Sequence, residues 1–381
     1  MALPLKGMRV LEFAGLAPAP FAGMILADWG ADVVRVDKLS GASTDVLCRG
    51  KRSLAVSLKD KQGIELIKKI IKEAPIDVII EPFRPGVMER LGLGPEVLSA
   101  LNPGLIYARM IGFDRGGKYE QLAGHDINYL AAGGVLSLIG PKGQPPVAPV
   151  NFLGDFAGGG LMCALGIILA HIEKQKSGKG QVVTADMVNG ARYVSSFVLL
   201  GRMAGNPVLT QGGRGDNWLD GGAPWYRTYE TKDQKYVSVG CIEPQFYQIF
   251  LTTLLSSTTL SPPPEAMHNQ YDRSVWPALE LFFKSVFLTK TRDEWDSIFH
   301  DKDACVIPVL ADWEVPQMAP EVAPNLSRME VRKVGQPDFL QPGTHTEEVL
   351  KELGWREEEV HGLRANGVIS FGNEEESRAK L

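Results

Sequence analysis

The chain has 381 residues, of which 44% are hydrophobic and 22% charged, a composition that excludes a disordered or fibrous chain and leaves room for about two to three domains. Forty Lys and Arg against 45 Asp and Glu give a net charge of -5, which argues against a general grip on nucleic acid or acidic membrane but not against a local basic pocket. The longest uninterrupted apolar stretch, Ala157 to Ala170, falls short of the roughly 20 residues a bilayer requires, and the N-terminus lacks the basic start and apolar run of a signal peptide, so a soluble protein made inside the cell, without membrane insertion, is expected.

Met8 to Phe13 is a short apolar strand candidate, Ala14 to Pro20 a small-residue turn, and Phe21 to Trp29 an apolar helix. A strand at Ala31 to Val36, a helix over Gly63 to Glu73 and a strand at Ile76 to Ile80 continue the rhythm of a parallel α/β sheet. Ligands of such sheets bind beyond the carboxyl ends of the strands. The first turn, GLAPAP, is not G-x-G-x-x-G, so a nicotinamide-dependent dehydrogenase loses its best support. Leu105 to Phe113 is a further strand, and Ala157 to Lys174 and Thr184 to Met203 read as long apolar helices. The Gly- and Asp-rich run after Ala204 reads as a long connection. A smaller α/β region follows, with strands near Tyr226 to Glu230 and Tyr236 to Val239, a helix from Gln245, a surface loop at Ser256 to Glu265 and a helix over Asp293 to His300. Pro316 to Pro342 is a second connection, after which a helical pattern returns.

Cys48, Cys163, Cys241 and Cys305 form no C-x-x-C pair, which speaks against a disulfide framework or structural zinc. The six histidines form no cluster with carboxylates at ligand spacing, so no metal is expected.

Three acidic or imidazole positions could carry chemistry. In Gly124-His125-Asp126 an imidazole precedes a helix start, where backbone N–H groups can stabilise an oxyanion; a plain cap at Asp126 is the commoner explanation. Asp155, in NFLGDFAGGG, is a carboxylate among small neighbours that permit close ligand approach, or again a helix cap. Glu243, in GCIEPQF, follows an apolar strand and is equally readable as a site residue or a solvated turn. Arg84 and Arg90 could hold phosphate oxygens. Lys51-Arg52 and Lys59-Asp60-Lys61 add basic character, as solvated surface charges usually do, and Met24, Met88, Met110 and Met187 fit ordinary core packing or an adaptable apolar surface.

Jointly, VVRVDK, EPFRPGVMERLGLGP, LIYARMIGF, AGHDINYL, NFLGDFAGGGLMCALGI, GKGQVV, LDGGAPWY, VGCIEPQFY, DACVIPVL and GTHTEEVLKELG resemble the family III CoA-transferase superfamily, and within it the racemases acting on 2-methylacyl-CoA thioesters. The resemblance spans nearly the whole chain. It implies an α/β fold with a Rossmann-like large domain on a parallel sheet and a smaller α/β domain, in an interlocked homodimer. The large domain would take residues 1–200 and, after connections at 201–224 and 316–342, a helical return at 343–381; the small domain would be 225–315.

The resemblance also implies that His125 and Asp155 are the two acid/base residues, with Glu243 hydrogen-bonding His125, across the dimer interface. Lys38, Val56, Ser57, Leu58, Lys59, Pro82, Phe83, Arg84, Arg90, Gly124, Asp126, Ile127, Asn128 and Tyr129 match segments that contact the coenzyme A substrate. Lys38 stands where the family usually has Arg, keeping charge but not bidentate geometry. The implied reaction interconverts 2R and 2S 2-methylacyl-CoA in branched-chain and bile-acid side-chain degradation, with no cofactor beyond the coenzyme A of the substrate. Alternatives are a CoA-transferase with Asp155 as nucleophile and a silent acyl-CoA-binding protein. The terminal Ala379-Lys380-Leu381 resembles the S-K-L address read by the peroxisomal import receptor, giving a peroxisomal expectation with a mitochondrial pool left open.

Overall fold

The computed structural model describes residues 2–263, 269–316, 319–330, 333–335 and 339–372. Ala379-Lys380-Leu381 and the acidic run before it lie outside the described residues, as does Glu265 of the expected surface loop. The chain divides into two compact units, one of Met1–Gly134, Pro149–Val194 and Ala319–Leu381, the other of Val135–Ala148 and Ser195–Met318.

The first unit runs β1 (Arg9–Phe13), α1 (Pro18–Asp28), β2 (Asp32–Asp37), β3 (Lys51–Val56), α2 (Lys61–Glu73), β4 (Val78–Glu81), α3 (Val87–Arg90), α4 (Pro95–Leu101), β5 (Ile106–Ile111) and α5 (Asp126–Ala132). A π-helical segment, Phe152–Leu161, then continues into α6 (Met162–Ser177), followed by β6 (Val182–Asp186) and α7 (Met187–Val194). The second unit holds α8 (Ser196–Met203), α9 (Pro207–Thr210), β7 (Tyr226–Glu230), β8 (Tyr236–Gly240), α10 (Pro244–Ser256), α11 (Trp276–Phe287), α12 (Arg292–Phe299) and β9 (Val306–Pro308). The chain returns to the first unit with α13 (Thr346–Glu352), α14 (Glu357–Ala365) and β10 (Ile369–Ser370).

The first unit's seven-stranded sheet has the order β10-β3-β2-β1-β4-β5-β6. All neighbours are parallel except β10 on β3. Its inner strands are buried on both faces, hence the near-continuous apolar runs such as Val78-Ile79-Ile80. Alternate residues supply two cores: Val10, Val33 and Ile80 pack beneath α1 and α6, and Leu11, Val34 and Ile79 beneath α2 and α14. α2 shows the pattern that makes this possible, with Leu66, Ile67, Ile70 and Ile71 inward and Asp60 capping the Gln62 N–H at 2.7 Å. Sheet order reverses at β1, whose neighbours are β2 on one side and β4 on the other. The loops after β1 and β4 therefore part and leave a crevice at the carboxyl edge.

Several expectations change. β3 was not anticipated, because Lys51-Arg52 reads as solvated surface. Lys51 is in fact buried on the strand, its Nζ 2.7 Å from Glu12 Oε2 and 2.8 Å from the Pro20 carbonyl, while Arg52 pairs with Asp32, Glu348 and Glu352. Thr184 to Met203 is not one helix: its first residues belong to β6, which pairs with β5, and α7 and α8 follow. Phe152–Ser177 forms a continuous helical run of 26 residues, long and apolar enough to cross a membrane by length and composition. The apolar count from Ala157 to Ala170 falls short of it because Asp155 lies before the stretch and His171, Glu173 and Lys174 follow it. In this unit the run meets α7 through Gly158 and α1 through Gly160, and packs on the sheet through Cys163, Ala164 and Ile167.

In the second unit β7, β8 and β9 form an antiparallel sheet beneath α10, α11 and α12. Its core is aromatic: Tyr229 stacks on Phe287 at 5.2 Å, Phe250 meets Phe283 edge-on at 5.1 Å, and Trp295 meets Phe287 at 5.1 Å.

Candidate active site

A cavity of about 390 Å³ occupies the carboxyl edge of the sheet. Gly15, Leu16 and Pro18 after β1 form one lip, and Pro82 to Pro85 after β4 the other. A Cβ on Gly15 would lie 2.4 Å from Pro82 Cγ, so the lips close only with glycine there. Met110 to Phe113 at the end of β5 and Met187 after β6 form an apolar wall, and Glu120, Leu122 to His125, Tyr129 and Asp155 complete the lining.

His125 is the N-cap of α5. Its backbone is extended, its N–H donates to Asn128 Oδ1 at 3.1 Å, and its side chain is exposed. Tyr129 is buried; its hydroxyl donates to the Gly124 carbonyl and its ring meets Phe113 edge-on at 4.9 Å, fixing the turn before the imidazole.

Asp126, one residue on, is not the cap of its own helix. Its Oδ2 accepts the N–H groups of Gly154 at 2.6 Å and Asp155 at 2.8 Å, clamping the π-helical segment to α5. Nor is Asp155 a cap: it lies within that segment, a helix form frequent at functional sites, and accepts from Asn151 Nδ2 at 3.1 Å. Burial pushes the Asp155 carboxyl above the usual carboxylate range; the Asn151 hydrogen bond opposes this, the Asp126 charge adds to it and His125 opposes it.

Of the positions matching family segments, Pro82, Phe83, Arg84, Gly124, His125, Tyr129 and Asp155 line this cavity. Lys38, past β2, and Lys59, past β3, are exposed; Val56 is buried at the end of β3, and Ser57 and Leu58 are half-buried. Arg90 is exposed on α3, and Ile127 and Asn128 are exposed on α5. These positions share the carboxyl edge or α5 with the cavity without lining it. Met110 and Met187 both pack in the core and line the cavity, whereas Met24 and Met88 are buried core residues only.

Glu243 belongs to the second unit. It is exposed at the N-cap of α10, before Pro244. The carbonyls before it are tied down: Gln270 Nε2 donates to Cys241 at 2.9 Å and Ile242 at 2.8 Å, and Tyr271 donates to Ile242 at 3.2 Å. The indoles of Trp225 and Trp276 both donate to the Gln270 carbonyl, at 3.1 and 3.0 Å.

Residues around the cavity that sequence reasoning passed over are Asn151, Glu81 and Arg109. Asn151 was visible as the partner one helical turn before Asp155. Glu81 and Arg109 were visible as charges in otherwise apolar strands, VIIE and IYARMI. Glu81 Oε2 accepts the Phe83 N–H at 3.0 Å, and burial pushes its carboxyl up to about 8.

The second unit has a separate cavity of about 1090 Å³, whose lining includes Lys142, Arg227, Glu280 and Cys305 and none of the expected site residues. Among the described residues the one group spaced to hold a metal ion is Glu347, Glu357 and His361. Glu347 there already pairs with Lys351 at 2.8 Å.

A parallel sheet in the order 3-2-1-4-5-6, with helices on both faces and a cavity where the order reverses, defines a doubly wound α/β protein of Rossmann topology. The chain belongs to CoA-transferase family III, whose model matches residues 5–347. It is 46% identical to the α-methylacyl-CoA racemase of Mus musculus over 96% of this chain and 97% of that protein. It is 45% identical to the α-methylacyl-CoA racemase of Homo sapiens over 96% of this chain and 98% of that protein. The fold matches a crystal structure of a CaiB/BaiF family protein from Brucella suis at a TM-score of 0.77 and 24% identity, covering 93% of this chain and 100% of that one.

Proposed function

We propose that the chain is an isomerase that interconverts the 2R and 2S forms of 2-methylacyl-CoA thioesters. One observation carries the reading: His125 and Asp155 line the same cavity at the sheet's switch point, and the carboxyl is held above its usual range by burial. Inverting a carbon beside a thioester carbonyl requires a base on one face and an acid on the other. In one direction neutral His125 takes the C2 proton and protonated Asp155 delivers one; in reverse the Asp155 carboxylate is the base and the imidazolium the acid. The pair holds one proton between them, and a carboxyl whose hold on a proton is strengthened by burial suits that division. The N–H groups of Asp126 and Ile127 at the start of α5, which precede the first intrahelical hydrogen bonds, would stabilise the enolate oxygen.

Glu243 would hydrogen-bond His125 and support the imidazolium, contributed by the second subunit of a homodimer. Lys38, Lys59, Arg84 and Arg90 would meet the phosphates of coenzyme A, whose thioester acidifies C2, so no further cofactor is needed. Degradation of branched-chain and bile-acid side chains in the peroxisome, reached through Ala379-Lys380-Leu381, is the setting this reading implies.

The test incubates the purified protein with one enantiomer of a 2-methylacyl-CoA in D2O, without an acceptor acid. Deuterium at C2 and loss of optical purity are expected. CoA transfer to an added carboxylate with no label at C2 would instead make Asp155 a nucleophile, the chemistry of the transferases that give the family its name.

A further inference from the structure

We propose that Arg109 is a positioning residue for the loop Pro82 to Arg90, holding its far end through Glu89 and lying beside Glu81 at its near end; the role rests on reading that loop as part of the acyl-CoA site. Arg109 on β5 is in register with Glu81 at the end of β4. Its side chain is 3% exposed, between two carboxylates: Nη2 donates to Glu89 Oε1 at 2.7 Å, and Nε lies 3.9 Å from Glu81 Oε1. Glu81 in turn accepts the Phe83 N–H, the second residue of the loop, while Glu89 sits on α3 at the far end. Pro82, Phe83, Arg84 and Pro85 between them line the cavity.

Stability is a poor reason for this cluster. Nε and Nη1 of Arg109 are buried without a hydrogen-bond partner, and a half-satisfied buried charge network is worse for the fold than an apolar core. What the cluster achieves is local. It fixes the loop backbone at Phe83 and anchors α3. It also occupies the Glu89 carboxylate, which Arg115 approaches at 3.6 Å, so that its negative charge is balanced one residue from Arg90. Among the described residues neither Arg84 nor Arg90 forms an ion pair, and both are exposed. The loop therefore presents two cations to an anionic ligand with its one carboxylate turned to Arg109.

The test uses Arg109→Lys and Glu89→Gln in the full chain. Glu89 is 43% exposed, so the second variant keeps the fold even where the first does not. Amide hydrogen exchange should quicken in the stretch from Phe83 to Arg90 and not across the sheet. With 2-methyloctanoyl-CoA in D2O, KM should rise about tenfold, equivalent to roughly 1.4 kcal/mol, while kcat stays within about twofold. Unchanged loop exchange in both variants overturns the proposal, as does a fall in kcat at constant KM. The exchange readout needs no substrate: a wild-type chain that racemises nothing, with faster loop exchange in both variants, would remove the isomerase reading and leave the grip on the loop standing.

Discussion

Asp155 is asked to be an acid near neutrality, and two features of its surroundings push it that way. Burial is the largest, the Asp126 charge adds to it, and the Asn151 hydrogen bond limits it. Asp155→Asn removes the transferable proton while keeping shape and the capacity to hydrogen-bond. Turnover should fall at least about 10²-fold, the usual contribution of one acid/base group, with acyl-CoA affinity nearly unchanged by calorimetry; full turnover in the variant would take Asp155 out of the reaction. Asp126 acts on Asp155 through charge as well as through the two N–H groups it holds. Asp126→Asn removes a negative charge and so should move the alkaline limb of the kcat/KM profile to lower pH. That limb belongs to the His125 and Asp155 pair, not to either alone. An alkaline limb that stays in place would show that Asp126 serves only as a clamp.

The element that carries Asp155 works because two backbones come unusually close. A Cβ on Gly190 of α7 would stand 1.8 Å from the Gly158 carbonyl oxygen, and one on Gly158 would stand 2.4 Å from the Ala191 nitrogen. Both obstacles are main chain, which cannot swing aside. Gly190→Ala should therefore cost at least about 1–3 kcal/mol in urea unfolding and lower activity as well, by displacing the π-helical segment. Gly362→Ala in α14 meets nothing within 4 Å and should instead stabilise by about 0.5–1 kcal/mol. Equal midpoints for the two variants would refute the account of the crossing. The same elements show what the sequence could and could not say. β1, β4 and β5 were legible because burial on both faces makes them continuously apolar. β3 was not, because its first residue is a lysine whose charge is met by Glu12, a partner 39 residues away. β6 was not, because Val182 to Asp186 runs without a breaker into the pattern of α7. A helix was legible only from Ala157; its extension back through Asp155 as a π-helix, fastened by Asp126 from another helix, is a tertiary contact that no local pattern encodes.

At the scale of the molecule, the cavity falls where strand order reverses, and the carboxyl ends of β1, β4, β5 and β6 bring together segments that lie far apart along the chain. His125, Asp155 and the Pro82 to Arg84 loop were legible as motifs, yet only the sheet makes one lining of them; Glu243 sits in the other unit. Concentrating polar groups in a sheet covered on both faces has a consequence for stability. The Glu12 carboxyl is raised by burial against the opposing pull of Lys51, and that of Glu81 is pushed by burial up to about 8. Below the usual carboxylate range Glu81 is protonated in the folded and unfolded chain alike. Between that range and about 8 the folded chain keeps a proton that the unfolded chain has released, so each rise in pH favours unfolding. Stability should accordingly decline from about pH 5 to about pH 8, with a contribution from Glu81 of at most about 1.4 kcal/mol per pH unit. Glu81→Gln keeps an acceptor for the Phe83 N–H and carries no titrating proton, so its unfolding free energy, measured in urea at pH 6, 7 and 8, should fall less steeply than that of the wild type. Parallel slopes for the two chains would mean that Glu81 is already ionised in the folded protein, with Arg109 close enough to hold its charge.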